Sequence, residues 1–427
     1  GAPPDVLTRP AYGFYWFTLS VETQAPAWHE RVTPSMAEMS TLVVTDPWAS
    51  LVSGPARGML ERDVLPAFLP LQRWFGDKDA GVRRAELLRS AELSTSAGRW
   101  LLALLAVGRA DGGTRRYFVP LAIAWERQAD DLPGAGVLAR IRRGGTVGAL
   151  FDAAQDDAFA LGLLEAVRVG AVLSGTDGTV ACHGTRALET VDLPDVPEVR
   201  RLGGEQSNTS IVVGDKVVVK LIRRIEDGMN PEVEMGRFLT EAAHFPNSPP
   251  LLGWINTVDQ TGRETVLASL FGHVRNQGDA WQWTVDYVRR FLSEHSLLPP
   301  EEVGQRLAEG VHADHLRFIA TLGTRTAELH RALTVETGDQ SFDPEPITAA
   351  DLERWGRRLN GQVAEALEAL RGVDLPEAEL VRRCAARIDE TVRGLLAEVP
   401  PLVKIRIHGD YHLGQVLVAM DDAVIVD

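Results

Sequence analysis

The chain has 427 residues, with 24% charged residues and a formal net charge of −15. This length exceeds one compact core and predicts two or three domains. An acidic surface repels phosphate backbones and anionic lipids, so we expect neither nucleic acid nor membrane partners. Two cysteines, Cys182 and Cys384, are too few for a disulfide framework or a zinc site, and they favour a cytoplasmic location. The longest apolar runs are of strand length, well short of the ~20 residues that a membrane helix needs.

The two ends of the sequence indicate a piece of a longer protein. Residues 13–19 (GFYWFTL) read as one aromatic strand, and a single strand cannot bury its own face. We therefore expect residues 1–20 to be the last strand of a preceding β-domain. Residues 21–57 contain many prolines, serines and threonines without periodicity, which predicts a linker. The chain stops at Asp427 directly after an apolar strand, so we expect the C-terminal lobe to be incomplete.

Three further units follow in chain order. Residues 58–142 begin with a helical pattern and continue with two apolar strands, at 100–108 and 117–125, which predicts a small α+β unit. Residues 143–270 start with a predicted helix at 150–172. They then change to hairpins, of which the clearest joins strands 208–213 and 216–222 through Gly214-Asp215. Residues 271–427 are mostly helical, with strong helices at 315–333 and 351–370, until strands return near 404–426. This order predicts an α+β fold with a β-rich lobe before a helical lobe.

The strongest chemical signal is the segment HGDYHLGQ at residues 408–415. Protein kinases place a catalytic Asp in a loop, a metal-binding Asn five residues later and a metal-binding Asp on the next strand. Asp410, Gln415 and Asp427 follow that spacing, with Gln in the Asn position. One carboxylate accepts the proton of the attacking hydroxyl, and the other oxygen ligands hold Mg²⁺ against the triphosphate. The alternative is a surface turn that happens to be rich in His and Asp.

A second signal is Lys220 in the strand VVVKLI. Only four of the 44 basic residues are lysine, so a lysine at an awkward position is expected to be needed as a lysine. Alternation places Lys220 on one strand face with Val218 and Ile222, where an ammonium is costly unless it meets an anion. In a kinase that anion is the ATP phosphates together with a helix glutamate. A solvent-facing strand lysine is the simpler alternative.

The glutamate partner is expected on the helix that follows. Asn230-Pro231 predicts an N-cap and a first helical position. Glu232 lies in the first turn, where the helix dipole alone explains an acidic residue. Glu234 lies deeper, beside the buried stripe, and we favour it as the partner of Lys220 while Glu232 remains open.

The glycine-containing segment 203–209 (GGEQSNT) lies where a phosphate-covering loop belongs. Glycine allows the backbone to approach a phosphate, and hydroxyl groups can donate hydrogen bonds to it. We therefore expect Gly204, Ser207, Asn208 and Thr209 to contact the nucleotide. The segment matches neither G-x-G-x-x-G nor a Walker sequence, so an ordinary hairpin loop is an equal alternative.

Taken together, the segments GGEQSNTS, VVVKLI, LGTRTAELHRAL (322–333) and HGDYHLGQVL resemble maltokinases. The segment RWFGDK at 73–78 resembles the start of the N-terminal cap of these enzymes. The resemblance implies an aminoglycoside-phosphotransferase-like, two-lobed protein-kinase-like fold with a cap at 58–142, an ATP-binding lobe at 143–270 and a truncated catalytic lobe at 271–427. The strand at 13–19 is similar to the last strand of trehalose synthases, which implies a trehalose synthase domain on the same or an associated chain.

The resemblance also implies a reaction, in which ATP phosphorylates maltose at its anomeric hydroxyl and feeds glycogen synthesis. Asp410 would be the general base, Gln415 and Asp427 the Mg²⁺ ligands, and Lys220 the phosphate contact. Leu267–Val274 would be the adenine hinge, and Tyr411 and His412 would contact the sugar. Family members continue beyond the metal-binding Asp with a Phe-Glu-Gly-Glu-Pro run, which this sequence lacks.

Two alternatives to this function stay open. The first is another kinase of the same fold that acts on an aminoglycoside, choline or homoserine. The second is a non-catalytic binding or scaffolding module, against which the intact Asp410, Gln415 and Lys220 argue.

Overall fold

A computed structural model describes residues 39–78, 81–130, 132–203, 207–397 and 402–426. The predicted strand at 13–19, residues 21–38 of the predicted linker, Gly204 and Asp427 lie outside the described residues. Within the described ranges, no helix is both long enough and apolar enough to cross a membrane.

The regular elements begin with strands and short helices and end with long helices and a hairpin. The strands are β1 Thr41–Val43, β2 Val82–Thr95, β3 Gly98–Arg109, β4 Thr114–Trp125, β5 Val137–Arg143, β6 Thr146–Asp152, β7 Val172–Gly175, β8 Gly178–Gly184, β9 Val199–Arg201, β10 Asn208–Val213, β11 Val217–Ile222, β12 Arg224–Ile225, β13 Leu251–Val258, β14 Glu264–Gly272, β15 Glu345–Pro346, β16 Val403–Lys404, β17 Val416–Ala419 and β18 Asp422–Ile425. The α-helices are α1 Pro47–Val52, α2 Gly54–Met59, α3 Leu65–Phe68, α4 Arg127–Asp130, α5 Asp157–Arg168, α6 Arg186–Glu189, α7 Pro231–Arg237, α8 Ala280–His295, α9 Pro300–Ala308, α10 Ala313–Ala332, α11 Ala349–Ala369 and α12 Pro376–Ala397.

One sheet runs through the cap and the ATP-side lobe. Its strand order in the described residues is β1-β5-β6-β4-β3-β2-β7-β8-β13-β14-β11-β10-β9, and β12 pairs with β4 as a fourteenth strand. Neighbouring strands are antiparallel, except that β1 runs parallel to β5. The two halves meet where β2 and β7 share a single residue pair, Ala91 with Gly175. The cap and the lysine-bearing lobe are therefore continuous through backbone pairing.

The cap core explains the apolar strand at 100–108. On one face of β3, Trp100, Leu102 and Leu104 pack towards α5. On the other face, Leu101, Ala103, Leu105 and Val107 pack against the helical segment 47–71. Because both faces are buried, the strand is apolar throughout instead of alternating with polar residues. The two predicted cap strands are confirmed as β3 and β4.

The predicted linker is wrong for its described part. Residues 41–43 form β1, and Asp46 caps α1 by accepting a hydrogen bond from the Ala49 amide. Leu42, Trp48 and Leu51 are buried in the cap core. The sequence pattern missed these elements because a three-residue strand and two six-residue helices are too short to show periodicity.

The predicted helix at 150–172 is also shorter than expected. Residues 150–152 end strand β6, a 3₁₀ turn covers Ala153–Gln155, and α5 begins at Asp157 with Asp156 as its N-cap. The predicted cap boundary after residue 142 falls inside the β5–β6 hairpin. We therefore propose that the cap extends through Asp152.

The lysine hairpin follows its prediction closely. Gly214 and Asp215 both have positive φ angles, 59° and 52°, and they reverse the chain between β10 and β11. Helix α7 starts as predicted, with the Asn230 side chain accepting a hydrogen bond from the Glu232 amide and proline at its first position. The predicted helices at 315–333 and 351–370 are confirmed as α10 and α11.

The helical lobe carries the β17–β18 hairpin. Val416, Val418 and Ala423 pack with Ala280 of α8 and Phe318 of α10. This small core fixes the hairpin on the helices, directly after the 408–415 segment in the chain.

Candidate active site

A cavity of about 990 Å³ lies between the lysine-bearing strands and the β17–β18 hairpin. Ligand sites are commonly clefts of ~300–1,000 Å³, so this cavity has the volume of a small-molecule site. The strand wall contributes Val218, Lys220 and Phe271, and the opposite wall contributes Gln415 and Leu417. The lining thus combines apolar side chains with the polar groups of Lys220 and Gln415.

Lys220 is buried at the centre of the strand wall. Its side chain is 9% exposed, and its Nζ lies 3.1 Å from Oε1 of Glu232 on α7. Register pairing places Lys220 opposite Ser210 of β10 and Ser269 of β14. A buried ammonium requires a hydrogen-bonded anion, and Glu232 supplies one at the cavity wall.

The segment HGDYHLGQ (408–415) is tied to the end of β18 by two hydrogen bonds. The His408 ring donates from Nε2 to the carbonyl oxygen of Val426 at 2.9 Å. The Val426 amide donates to the carbonyl oxygen of Gln415, also at 2.9 Å. Gly409 has a φ of 94°, a backbone conformation that favours glycine over every other residue. His408, Gln415 and Val426 therefore form one backbone-linked unit that lines the cavity.

Asp410 lies at the solvent side of this unit. Its side chain is 83% exposed, and its Oδ2 lies 3.8 Å from Nε2 of His412. The His412 Nδ1 accepts a hydrogen bond from the Gly414 amide at 3.0 Å. The neutral imidazole therefore carries its proton on Nε2 and presents it towards Asp410. The exposed Asp410 carboxylate is accessible to a hydroxyl that approaches from solvent.

The chain matches two family models. The model of the maltokinase N-terminal cap domain matches residues 68–156, and that of the phosphotransferase enzyme family matches residues 198–427, more than half of the chain. The chain belongs to the phosphotransferase enzyme family. In this phosphotransferase, both Lys220 and the 408–415 segment lie within the second match.

Curated relatives extend the likeness across both regions. A glucosamine kinase of Streptacidiphilus jiangxiensis is 28% identical over 406 residues, covering 93% of this chain and 72% of that protein. A glucosamine kinase of Mycolicibacterium smegmatis is 29% identical over 224 residues, covering 52% of this chain and 49% of that protein.

Solved structures of glucosamine kinase share the fold. One, in complex with glucosamine, ADP and inorganic phosphate, has a TM-score of 0.53 and 23% identity, and the match covers 90% of this chain and 72% of that one. A second, crystal form A, has a TM-score of 0.52 with the same identity and coverage. These matches show that the phosphotransferase has the kinase-like fold with an N-terminal cap.

The predicted pairing of Lys220 with Glu234 is wrong. Glu234 instead contacts Arg406, which lies four residues before Asp410 and also stacks over the Phe342 ring at 4.7 Å. Residues 232 and 234 are two positions apart on a helix and point in different directions. Glu232 therefore faces Lys220 on β11, and Glu234 faces Arg406, just before the 408–415 segment. The sequence pattern could not show which of the two glutamates faces the lysine.

None of the three residues 207–209, which were predicted to contact the nucleotide, lines the described cavity. The Thr209 hydroxyl accepts a hydrogen bond from Nε of Arg223 at 2.9 Å, on the sheet face away from Lys220. Ser210, which was not among the predicted residues, lines the cavity. Side chains alternate along a strand, so Ser210 lies on the same sheet face as its register partner Lys220, and Thr209 lies on the other face. Ser207 and Asn208 are absent from the described cavity wall, so the prediction that they contact the nucleotide remains untested.

The segment predicted to be the adenine hinge, Leu267–Val274, reaches the cavity only through its C-terminal half. Leu267, Ala268 and Leu270 are buried inside β14, whereas the residues from Phe271 to Asn276 line the cavity. The His273 amide donates to the Lys216 carbonyl oxygen at 2.8 Å, which holds this connection against the lysine hairpin.

Tyr411 is held by the helical lobe. Its hydroxyl lies 2.8 Å from Oγ1 of Thr326 on α10, and its ring lies 5.3 Å from that of His408. Tyr411 and His412 are thus both engaged in local hydrogen bonds beside Asp410. Their predicted contact with the acceptor stays a prediction.

A polar network behind the hairpin was not anticipated from the sequence. Arg325 of α10 donates from Nε and Nη2 to the two carboxylate oxygens of Asp422 at 2.8 and 2.9 Å. Asn247 donates to Asp422 and accepts from the Ile425 amide at 2.8 Å. The Arg325 guanidinium is the main cause that lowers the pKa of Asp422. This network joins the loop after α7 to the strand that leads to Asp427.

The described residues allow a limited test of the expected Mg²⁺ site. Mg²⁺ prefers oxygen ligands, and Gln415 offers an amide oxygen on the cavity wall. No group of three or more His, Cys, Asp or Glu side chains is placed to hold a metal in the part of the chain that the structure describes. A site with Gln415 and Asp427 as its protein ligands fits this chemistry, because Mg²⁺ takes its other ligands from water and phosphate.

Proposed function

We propose that this phosphotransferase is an ATP-dependent sugar kinase. The observation that carries the proposal is one cavity with the buried Lys220–Glu232 pair on one wall and, on the other, His408 and Gln415, which flank the exposed Asp410 in the chain. One wall can bind the phosphates and the other can activate a hydroxyl, which is the division of labour that phosphoryl transfer requires.

Each residue then has a definite role. Lys220 neutralises phosphate charge, and Glu232 keeps its ammonium in place. The Asp410 carboxylate accepts the proton of the sugar hydroxyl as its oxygen bonds to the γ-phosphorus and the bond to ADP breaks. Gln415 and Asp427 would hold Mg²⁺, which supplies charge stabilisation on the triphosphate.

Two acceptors have specific support. Glucosamine is the first candidate, because the relatives named glucosamine kinase include one that matches 93% of this chain. Maltose, phosphorylated at its anomeric hydroxyl, is the second, because residues 68–156 match the maltokinase cap. The expected trehalose synthase partner rests on residues 13–19, outside the described residues, and stays a prediction, as does the cytoplasmic location.

The test is an acceptor panel with the full chain. ADP release and the mass of the phosphorylated product are measured with glucosamine, maltose, an aminoglycoside, choline and homoserine, with Asp410→Asn as the matched inactive control. We expect turnover with one of the two sugars and none with the variant. Phosphorylation of a non-sugar alone would overturn the proposed acceptor class. Failure of the chain to bind ATP would favour the non-catalytic module.

A further inference from the structure

Two arginines connect the nucleotide-facing strands to one turn of the cap. Strands β9 and β10 flank the segment predicted to cover the phosphates, and residues on or next to them, Leu202 and Ser210 among them, line the cavity. The turn is residues 152–157, between strand β6 of the cap and helix α5. Each strand reaches this turn through a different arginine.

Arg201 makes the first connection, from β9. Its Nε donates to the Ala154 carbonyl oxygen at 2.9 Å, and its Nη1 donates to Oδ1 of Asp157 at 2.5 Å. The guanidinium thus donates to two groups of the turn at once, which the single ammonium of a lysine cannot do with the same planar geometry.

Arg223 makes the second connection, to β10. Its Nη2 donates to Oδ2 of Asp152 at 2.7 Å and its Nε donates to Oγ1 of Thr209 at 2.9 Å. The side chains of Arg223 and Asp152 are 1% and 2% exposed, so water does not compete for these bonds. The guanidinium also lies 4.6 Å from the centre of the Trp74 ring, within the RWFGDK segment. The cap motif therefore packs on the arginine that holds Thr209.

The turn itself is fixed inside the cap. The Asp152 carboxylate accepts a hydrogen bond from the Ala154 amide at 3.0 Å. The Trp100 indole donates to Oδ2 of Asp156 at 2.8 Å, and Trp100 is buried against Phe159 of α5. Because the turn is hydrogen-bonded to the cap at both ends, a side chain that binds the turn is held at a fixed position relative to the cap.

We propose that Arg201 and Arg223 are positioning residues through which the cap sets the spacing of β9 and β10 for binding of the ATP phosphates. The inference rests on the proposed kinase function and extends it, since it gives the cap a role in nucleotide binding. Misplacing a binding group by ~1 Å can cost up to ~100-fold in rate, so small strand shifts have measurable effects.

The structure offers a matched control in Arg89 of β2. This arginine also joins the cap to the ATP-side half, donating to Asp177 at 3.1 Å and to Asp259 at 3.0 Å. Its partners lie in the turns after β7 and β13, away from β9 and β10. Loss of Arg89 therefore removes a comparable cap contact without touching the nucleotide-facing strands.

The experiment compares Arg201→Gln, Arg201→Lys, Asp152→Asn and Arg89→Gln in the full chain. ATP affinity is measured by calorimetry without sugar, and the KM values of ATP and sugar and the melting temperature are measured alongside. We expect Arg201→Gln to weaken ATP binding by about 10-fold, with the KM of the sugar unchanged and Arg201→Lys intermediate. Asp152→Asn should act in the same direction. Arg89→Gln should lower the melting temperature while ATP affinity stays that of the wild type.

Unchanged ATP affinity in Arg201→Gln and Asp152→Asn would overturn the inference, as would equal effects of Arg201→Gln and Arg89→Gln. Failure of the wild-type chain to bind ATP would be a different result, because it would refute the proposed function first. Arg201, whose side chain is 30% exposed, is the safer site for substitution. Removing the buried Arg223 would leave Asp152 uncompensated and threaten folding.

Discussion

Replacing Glu232 by glutamine tests which glutamate serves Lys220. The variant keeps the size of the side chain and removes its charge, so the ammonium loses its anionic partner on α7. The matched control is Glu234→Gln, two residues on in the same helix, where the partner is Arg406.

The magnitude follows from the geometry. Two unit charges 3.1 Å apart attract by about 5 kcal/mol at an effective dielectric constant of about 20. Desolvation offsets part of this attraction, and a hydrogen bond to a charged group contributes about 1.5–3 kcal/mol net. Converted at 1.36 kcal/mol per factor of ten, the loss in kcat/KM for ATP is about 10- to 150-fold.

The assay is steady-state kinetics with ATP varied at saturating sugar, together with ATP affinity in the absence of sugar. Glu232→Gln should reduce kcat/KM for ATP by the stated factor. Glu234→Gln should leave ATP affinity intact and act on kcat, because Arg406 adjoins the catalytic segment. If Glu234→Gln weakens ATP binding more than Glu232→Gln does, our interpretation of the 3.1 Å pair is refuted.

Three further predictions concern the 408–415 segment and the polar network behind the β17–β18 hairpin. Asp410→Asn should nearly abolish turnover while ATP affinity, measured by calorimetry, stays close to wild type, since a general base acts in the transition state; activity within a few-fold of wild type would remove Asp410 from the mechanism. Gln415→Ala should raise the Mg²⁺ concentration needed for half-maximal rate by about 10-fold or more, and an unchanged Mg²⁺ titration would exclude Gln415 as a ligand. Asp422→Asn should lower the urea midpoint at pH 7. Because Arg325 depresses the folded-state pKa of Asp422 below its ordinary value of 3.8, that stabilisation is present above this pH and disappears as the pH falls through the lower, folded-state value. The difference in urea midpoint between Asp422→Asn and wild type should therefore disappear at low pH. A difference that grows at low pH would contradict the Arg325–Asp422 ion pair as its cause.

Local patterns were sufficient for much of the fold. The apolar strands β3 and β4, the turn at Gly214-Asp215 and the cap at Asn230 each depend on residues next to one another in the chain. Short-range signals of this kind are readable because the backbone geometry they need is local. The helix predicted at 150–172 is wrong at its start, because residues 150–152 belong to strand β6 and α5 begins only at Asp157. Periodicity alone does not show where an apolar run changes from strand to helix.

The candidate residues that sequence can nominate are those whose motif carries its own spacing. Asp410 and Gln415 could be nominated because they lie five residues apart in one loop, and their roles stay predictions. Glu232 could not be chosen over Glu234, because the choice depends on how α7 is rotated against strands that lie elsewhere in the chain. Arg406, which decides where Glu234 points, is 172 residues away along the sequence.

Lysine is scarce in this chain, so the contacts of each lysine are informative. Besides Lys220, a second of the four lysines is held in ion pairs, because Lys404 lies 2.8 Å from Glu345 and 3.1 Å from the buried Asp351. Hydrogen bonding to Glu345 and then to Asp351 raises the pKa of Lys404, so it stays charged. Lys404 therefore ties the approach to Asp410 to the start of α11, while Arg406, two residues later, ties it to α7. The chain that leads into the 408–415 segment is thus anchored to α11 and to α7 within six residues of Asp410, so the position of Asp410 depends on how these two helices are held together.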